Sequence, residues 1–312
     1  MTVPHTKNEK SLNTHNSIIV FSIFVIIALT FLASSEIRNA IVSGIRLSAF
    51  SVIPAIFPFL IISDFLSTTA LGERYGLLSR SVKRILGISN AALPAFLYGS
   101  ICGFPVGIKM ASELYNRKTI SKSECQRLIG CTSNPSPAFV VSGIGIGIYG
   151  NIKHGIILYV SILISSIFVC AVTRENKQFL HKKAENIKQT FSIVNSVKAA
   201  ALSCIYISSY IIFFSAIIGA ASKFVKNDTL LAMITALLEI TNASKMLSAL
   251  TSFSFELRVS LTAFALSFSG LCFALQARSL LPIEISMRKY YLMKLSSGAL
   301  SFFICYLLLK II

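Results

Sequence analysis

Long apolar runs alternate along this chain with short polar stretches rich in lysine and arginine. Ser17–Ala33, Leu47–Leu66, Gly155–Val172, Ala199–Ala221 and Tyr291–Leu309 approach the length of about 20 apolar residues that crosses a hydrocarbon core. The second of these runs contains Pro54 and Pro58. Ahead of it, Ser34–Arg46 sets Ile37, Ile41 and Ile45 at helical spacing beside Glu36, Arg38 and Arg46, which predicts an interfacial amphipathic turn or two.

The other apolar runs are interrupted. Gly103-Phe104-Pro105 stops a helix, because proline lacks an N–H and holds the preceding residue out of the α region. Pro105 also suits the first turn of a new helix. Each arm of Ala91–Asn116 then has about a dozen residues, too few to cross, so the stretch reads as a re-entrant hairpin. Ser121-Lys-Ser-Glu124 is a capping box that opens a helix. That helix meets a second break at Ser133-Asn-Pro-Ser-Pro137 and restarts through Ala138–Tyr149, where Gly143 and Gly147 offer a small face for helix contact. Thr229–Leu250 is interrupted by Glu239-Ile-Thr-Asn-Ala-Ser-Lys245, and Val259–Leu281 by Ser267-Phe-Ser-Gly270. The pattern leaves 229–250 open between a hairpin and a full span.

Composition narrows the class. Of 312 residues, 54% are hydrophobic and only 13% charged, which makes this an all-α integral membrane protein of about seven to nine transmembrane segments. The net charge of +17 sits mostly in loops between apolar runs, so it sets orientation in the bilayer rather than marking a nucleic-acid partner. The seven cysteines form no CxxC, and the four histidines are scattered and polar-flanked, so neither metal nor cofactor is expected. No HExxH, GxSxG or paired-carboxylate constellation is present, and no enzyme is expected.

The two halves repeat one plan. At an offset of 136 residues, Gly107-Ile-Lys-Met110 falls on Ala243-Ser-Lys-Met246 and Ser133-Asn-Pro on Ser269-Gly-Leu. The chain divides into a tail and first span (1–34), a first unit (35–173), a basic loop (174–198) and a second unit (199–312). Counted from a cytoplasmic N-terminus, with most Lys and Arg kept inside, the units face opposite ways, as in inverted-repeat transporters. Irregular backbone at bilayer depth survives only where protein or a wet cavity satisfies it, so the breaks are the candidate site.

The run Cys-Gly-Phe-Pro-Val-Gly-Ile-Lys109, with the capping-box helix and Ser-Asn-Pro-Ser-Pro137, resembles sporulation integral membrane proteins of the YlbJ/SpoVV type, which carry the nucleoside-recognition (Gate) domain. Leu238-Glu-Ile-Thr-Asn242 and Phe268-Ser-Gly-Leu-Cys-Phe-Ala-Leu-Gln276 are similar to that domain's second-half signatures, with Ala243 where a glycine is usual. The resemblance covers about residues 40–312. It implies a multi-pass protein of the mother-cell or outer forespore membrane of a spore-forming bacterium. The implied activity is movement of dipicolinic acid, a planar aromatic dianion, through a fold similar to concentrative nucleoside carriers.

On that reading Gly103, Phe104, Pro105, Gly107, Lys109, Asn134, Ser136, Glu239, Asn242, Lys245, Ser269 and Gln276 are the candidate solute contacts. Lys109 and Lys245 either answer one carboxylate each or snorkel to an interface. Glu239 either binds a coupling proton or cation or pairs with Lys245 or Arg278. Asn134, Asn242 and Gln276 bind solute or only satisfy freed backbone. Arg278 is a third anion contact or marks a span's cytoplasmic end. A nucleoside-type carrier and a membrane scaffold of sporulation remain as alternatives.

Overall fold

The computed structural model describes residues 33–68, 85–174 and 192–311, so the expected span at 17–33 and most of the loops at 67–90 and 174–198 lie outside the described residues. Every element described is helical. Five helices are long and apolar enough to cross a membrane: Ser34–Ile62, Ile152–Val172, Ile193–Phe224, Phe255–Ser279 and Arg288–Ile311.

Helix α1 (Ser34–Leu47) continues through a π-helical turn at Ser48–Val52 into α2 (Ile53–Thr68). The expected separate interfacial segment at Ser34–Arg46 is therefore corrected: it is the first third of one long helix. The π-turn lies just ahead of Pro54 and Pro58, whose missing N–H groups already interrupt the ladder there. Glu36, Ile37, Ala40 and Gly44 of α1 pack on α7 (Ile193–Phe224), while Ile45 of the expected stripe stays exposed. A Cβ at Gly44 would lie 2.5 Å from Ser215 Oγ, and one at Gly219 would lie 2.6 Å from Ala40 Cβ, so the two backbones meet at glycines. Glu36 and Lys223 close one end of this pair with a 3.0 Å ion pair.

Helices α3 (Leu93–Cys102) and α4 (Val106–Asn116) pack on each other around the break at Gly103-Phe104-Pro105, where the Phe104–Pro105 bond is cis. Ser121 caps α5 (Lys122–Thr132), its Oγ accepting from Glu124 N at 3.1 Å. After the break at 133–137 the chain resumes as a π-helix, Ala138–Ile146, and turns into α6 (Ile152–Val172). The second half supplies α8 (Asp228–Leu238) and α9 (Ile240–Ala249), which also pack on each other, then α10 (Phe255–Phe268), α11 (Gly270–Ser279) and α12 (Arg288–Ile311).

Helices α5, α6, α10 and α12 form the centre, with α12 packed on the other three and α10 on α6. Serines permit the close approach: Ser297 Oγ lies 3.1 Å from Ser165 Oγ and 2.9 Å from Ser267 Oγ. The expected contact face at Gly143 and Gly147 is corrected, because the π-helical register turns other glycines toward α6. A Cβ at Gly145 would lie 2.4 Å from Gly155 Cα, whereas one at Gly143 meets only Phe139 of its own helix at 3.6 Å.

Each end of the bundle is tied by its own contacts. At one, Arg127 donates to Leu86 O, Gly87 O and Cys170 O, Gln126 to Ser286 O, and Lys289 to Ser123 Oγ. At the other, Tyr149 Oη sits 2.6 Å from Thr262 Oγ1, His154 packs on Phe255, and Arg258 donates to Ser248 O.

Substituting Gly155→Val forces side-chain atoms into Gly145 and Val141 backbone. Overpacking of this kind costs about 1–3 kcal/mol, so the thermal unfolding midpoint of the detergent-purified variant should fall well below wild type. An unchanged midpoint would contradict the backbone contact.

Candidate functional site

Each break finds its partner in another break. In the first half, Phe104 N donates to Asn134 O at 2.8 Å. Gly103 has φ +72°, and a Cβ there would lie 2.6 Å from Ser136 N, so only glycine fits both the conformation and the approach. Asn134 Nδ2 donates to Cys131 O at 2.9 Å and Ser166 Oγ at 3.0 Å, and Ser136 Oγ accepts from Phe139 N at 3.3 Å. These side chains hold the carbonyls and N–H groups that the Ser133–Pro137 interruption frees.

The second half closes its breaks in the same way. Glu239 alone separates α8 from α9, and its carboxylate caps α9, accepting from Thr241 N at 2.7 Å, Asn242 N at 2.8 Å and Asn242 Nδ2 at 2.8 Å. Asn242 Nδ2 also donates to Ser215 Oγ on α7 at 2.9 Å. Ser269 (φ +71°) and Gly270 (φ +65°) form the other break, and a Cβ at Gly270 would lie 2.9 Å from Leu238 O. Ser269 Oγ donates to Ser133 O at 3.1 Å and so joins the two halves.

Lys294, on α12, reaches the same junction. Its side chain is 0% exposed, and its Nζ donates to Ser133 O and Asn134 Oδ1, each at 2.9 Å. Both acceptors are neutral, and they stand just beyond the carbonyl end of α5, where the helix dipole favours a cation.

A small cleft of about 40 Å³ opens beside this junction. Phe104, Pro135, Ser136, Glu239, Ile240, Thr241, Cys272, Phe273 and Gln276 line it from the breaks, and Val52, Ile56, Phe139, Ile207 and Ile211 complete its apolar wall. Phe104 and Phe273 meet with ring centroids 4.8 Å apart. Among the described residues, the lining holds one carboxylate and no lysine or arginine.

Of the residues expected from sequence, Phe104, Ser136, Glu239 and Gln276 line the cleft. Asn134, Asn242 and Ser269 stand behind it in the hydrogen-bond network, and Gln276 Nε2 donates to Cys272 Sγ at 3.1 Å. Gly103 and Pro105 shape the first break, but Gly107 is a packing position, because a Cβ there would lie 2.5 Å from Thr132 Oγ1 and 2.9 Å from Gly99 Cα. Neither Lys109 nor Lys245 lines the cleft. Both are exposed, since the buried stripes of their helices, Gly107, Ile108 and Ala111 on α4 and Ala243, Ser244 and Leu247 on α9, face the other way. Glu239 caps a helix rather than pairing with Lys245 or Arg278. Arg278 Nη1 instead donates to Pro282 O and Ile285 O at the end of α11. Sequence reasoning missed Lys294, Phe273 and Thr241. The signal for Lys294 was a polar stripe, Lys294, Ser297 and Ser301, at helical spacing inside an apolar run.

Glu239→Ala leaves three buried or half-buried donors without their acceptor. At about 1–3 kcal/mol for each unsatisfied group, the variant should lose much of its thermal stability in detergent. Lys109→Ala and Lys245→Ala, on exposed faces, should stay within about 0.5 kcal/mol of wild type. Equal losses in all three would contradict this placement. Compared with protein-family models, curated proteins and solved structures, the chain finds no match.

Proposed function

We propose that this protein is a membrane carrier that moves a small organic solute through the cleft between its two pairs of helix breaks. The observation that carries the reading is the lining itself: interrupted segments from both halves converge on one cavity, among helices long and apolar enough to span a bilayer.

On this reading the chain is two inverted copies of one unit. Several features support it. At an offset of 136 residues, α3 falls on 229–238, almost the whole of α8; the last residue of α5 falls on the last of α10; and the first of α6 falls on the first of α12. Helix α1 packs on α7 and α6 on α12, and α5 packs on α12 as α10 packs on α6. The hairpin α3–α4 begins and ends near the Arg127 and Lys289 contacts, whereas α9 ends beside Arg258 at the other end of the bundle. The two hairpins then dip from opposite faces. Counting α5 with its π-helical continuation as a crossing, and Ser17–Ala33 as the first, the chain spans the membrane seven times. The end bearing Arg117, Lys118, Lys122, Arg174, Arg288 and Lys289 is cytoplasmic by its charge.

Dipicolinate is the solute that the likeness to YlbJ/SpoVV-type proteins favours, exported from the mother cell across the outer forespore membrane. Its charge complement would then come from Lys294, which stands one asparagine behind the cleft and, among the described residues, has no carboxylate in hydrogen-bond contact. A nucleoside-type neutral solute is the second reading. It is favoured by a lining that pairs Glu239, Gln276, Thr241 and Ser136 with the Phe104–Phe273 rings and holds no cation.

Uptake of radiolabelled dipicolinate and uridine into proteoliposomes tests both readings. One of the two should accumulate, and Phe104→Ala or Gln276→Ala should lower the rate at least about tenfold, a change of about 1.4 kcal/mol, while Lys109→Ala leaves it unchanged. Accumulation of neither solute would reject both readings and leave the scaffold alternative.

A further inference from the structure

A polar file runs through the centre of the bundle and does not line the cleft. On α12, Lys294, Ser297, Ser301 and Cys305 share one face at spacings of three and four residues, and all four are buried. Ser165 and Ser267 meet Ser297 from α6 and α10, and Ser161 and Ser260 meet the Cys305 thiol from the same two helices. Beyond Cys305 the file reaches Tyr149 and Thr262, whose oxygens lie 2.6 Å apart, at the end of the bundle where His154 and Arg258 are half-exposed.

A row of serines by itself is a device for close helix packing. Two further observations set this row apart. Ser301 Oγ is 0% exposed and has no hydrogen-bond partner among the described residues. Lys294 is equally buried, yet every acceptor it touches among the described residues is neutral. A permanent ammonium in such a place carries a desolvation cost of several kcal/mol that no counter-ion offsets, whereas a lysine that gains and loses a proton carries it only part of the time.

We propose that Lys294 is the proton-exchanging residue of this protein, reached from the Tyr149 end through the hydroxyls of Ser301 and Ser297. Its surroundings on every packed element fit that role. From α5 and the break after it come the Cys131 thiol and the Ser133 and Asn134 oxygens, with the Arg127 guanidinium turned away onto three carbonyls. From α6 come Ser165, Ser166 and Cys170, from α10 Ser267, and from α12 itself Tyr290, one turn earlier. The carboxylate of the cleft, Glu239, is held by N–H groups of α9 and makes no ion pair with Lys294. In the exchange one N–H bond of the ammonium breaks, its electron pair stays on nitrogen, and the proton forms an O–H bond on water that enters the file where the Ser301 hydroxyl has no partner among the described residues, leaving as hydronium to solvent.

That this exchange drives solute movement rests on the carrier reading; the proton site itself does not. Nitrogen NMR of full-length protein carrying 15N-lysine, in detergent micelles, tests it. The Nζ resonance absent from Lys294→Met should change reversibly from the ammonium to the amine position as pH is raised toward about 10, where a free lysine is still largely protonated, and Ser301→Ala should slow its hydrogen exchange with deuterated solvent about tenfold while leaving that midpoint in place. An ammonium resonance fixed across the range would overturn the proton site. Exchange unaffected by Ser301→Ala would overturn the route. Solute uptake with a fixed ammonium would leave the carrier and remove its proton coupling, and a titrating Lys294 without uptake would do the reverse.

Discussion

Backbone polar groups released at helix breaks, inside a bundle that offers them no bulk water, are the constraint on which this structure depends. Each such group left without a partner costs several kcal/mol in a bilayer, and four breaks release many. The protein meets the constraint by setting breaks against one another. Phe104 N bonds to Asn134 O, Glu239 takes up the first N–H groups of α9, and Ser133 O receives both Ser269 Oγ and Lys294 Nζ. The central position of the breaks follows from that mutual satisfaction, and so does the cleft, which lies where paired breaks leave room that continuous helices would fill.

Charge is placed by the same logic. Helix ends present concentrated partial charge, negative at the carbonyl end and positive at the N–H end. Lys294 sits past the carbonyl end of α5, and Glu239 sits on the N–H end of α9. Each buried titratable side chain is thus matched to a helix end rather than to the other. The positions that correspond to them at the 136-residue offset are Leu158 and Gly103, so the charges belong to one half each and give the two halves different electrostatics on similar frames.

Much of the frame was legible in the sequence. Glycine and proline restrict the backbone locally, so the breaks at 103–105 and 133–137 could be read without tertiary information. The helix opened by Ser121 was legible for the same reason, since a capping box is a contact of four adjacent residues. Side-chain direction was not legible at the breaks. Lys109 and Lys245 occupy matched places in the sequence, but which face of a short helix turns inward depends on its neighbours, and Gly107 and Ala243 turned that face away from the lysines. The same limit hid Lys294, whose burial depends on α5, α6 and α10 closing around α12. At Ser34–Arg46 the expected stripe is split: Ile37 meets Gly219 of α7, whereas Ile45 is exposed, because the side turned inward is set by where the glycines of the two helices meet.

Sidedness of the two hairpins is the most direct test of the central claim that paired breaks enter from opposite faces. Arg117→Cys lies in the turn after α4 and Ser252→Cys in the turn after α9, both at exposed positions, and all seven native cysteines are buried. In sealed, right-side-out membrane vesicles, an impermeant maleimide should label Ser252→Cys at once and Arg117→Cys only after the vesicles are opened. Labelling of both positions from the same face would contradict the account.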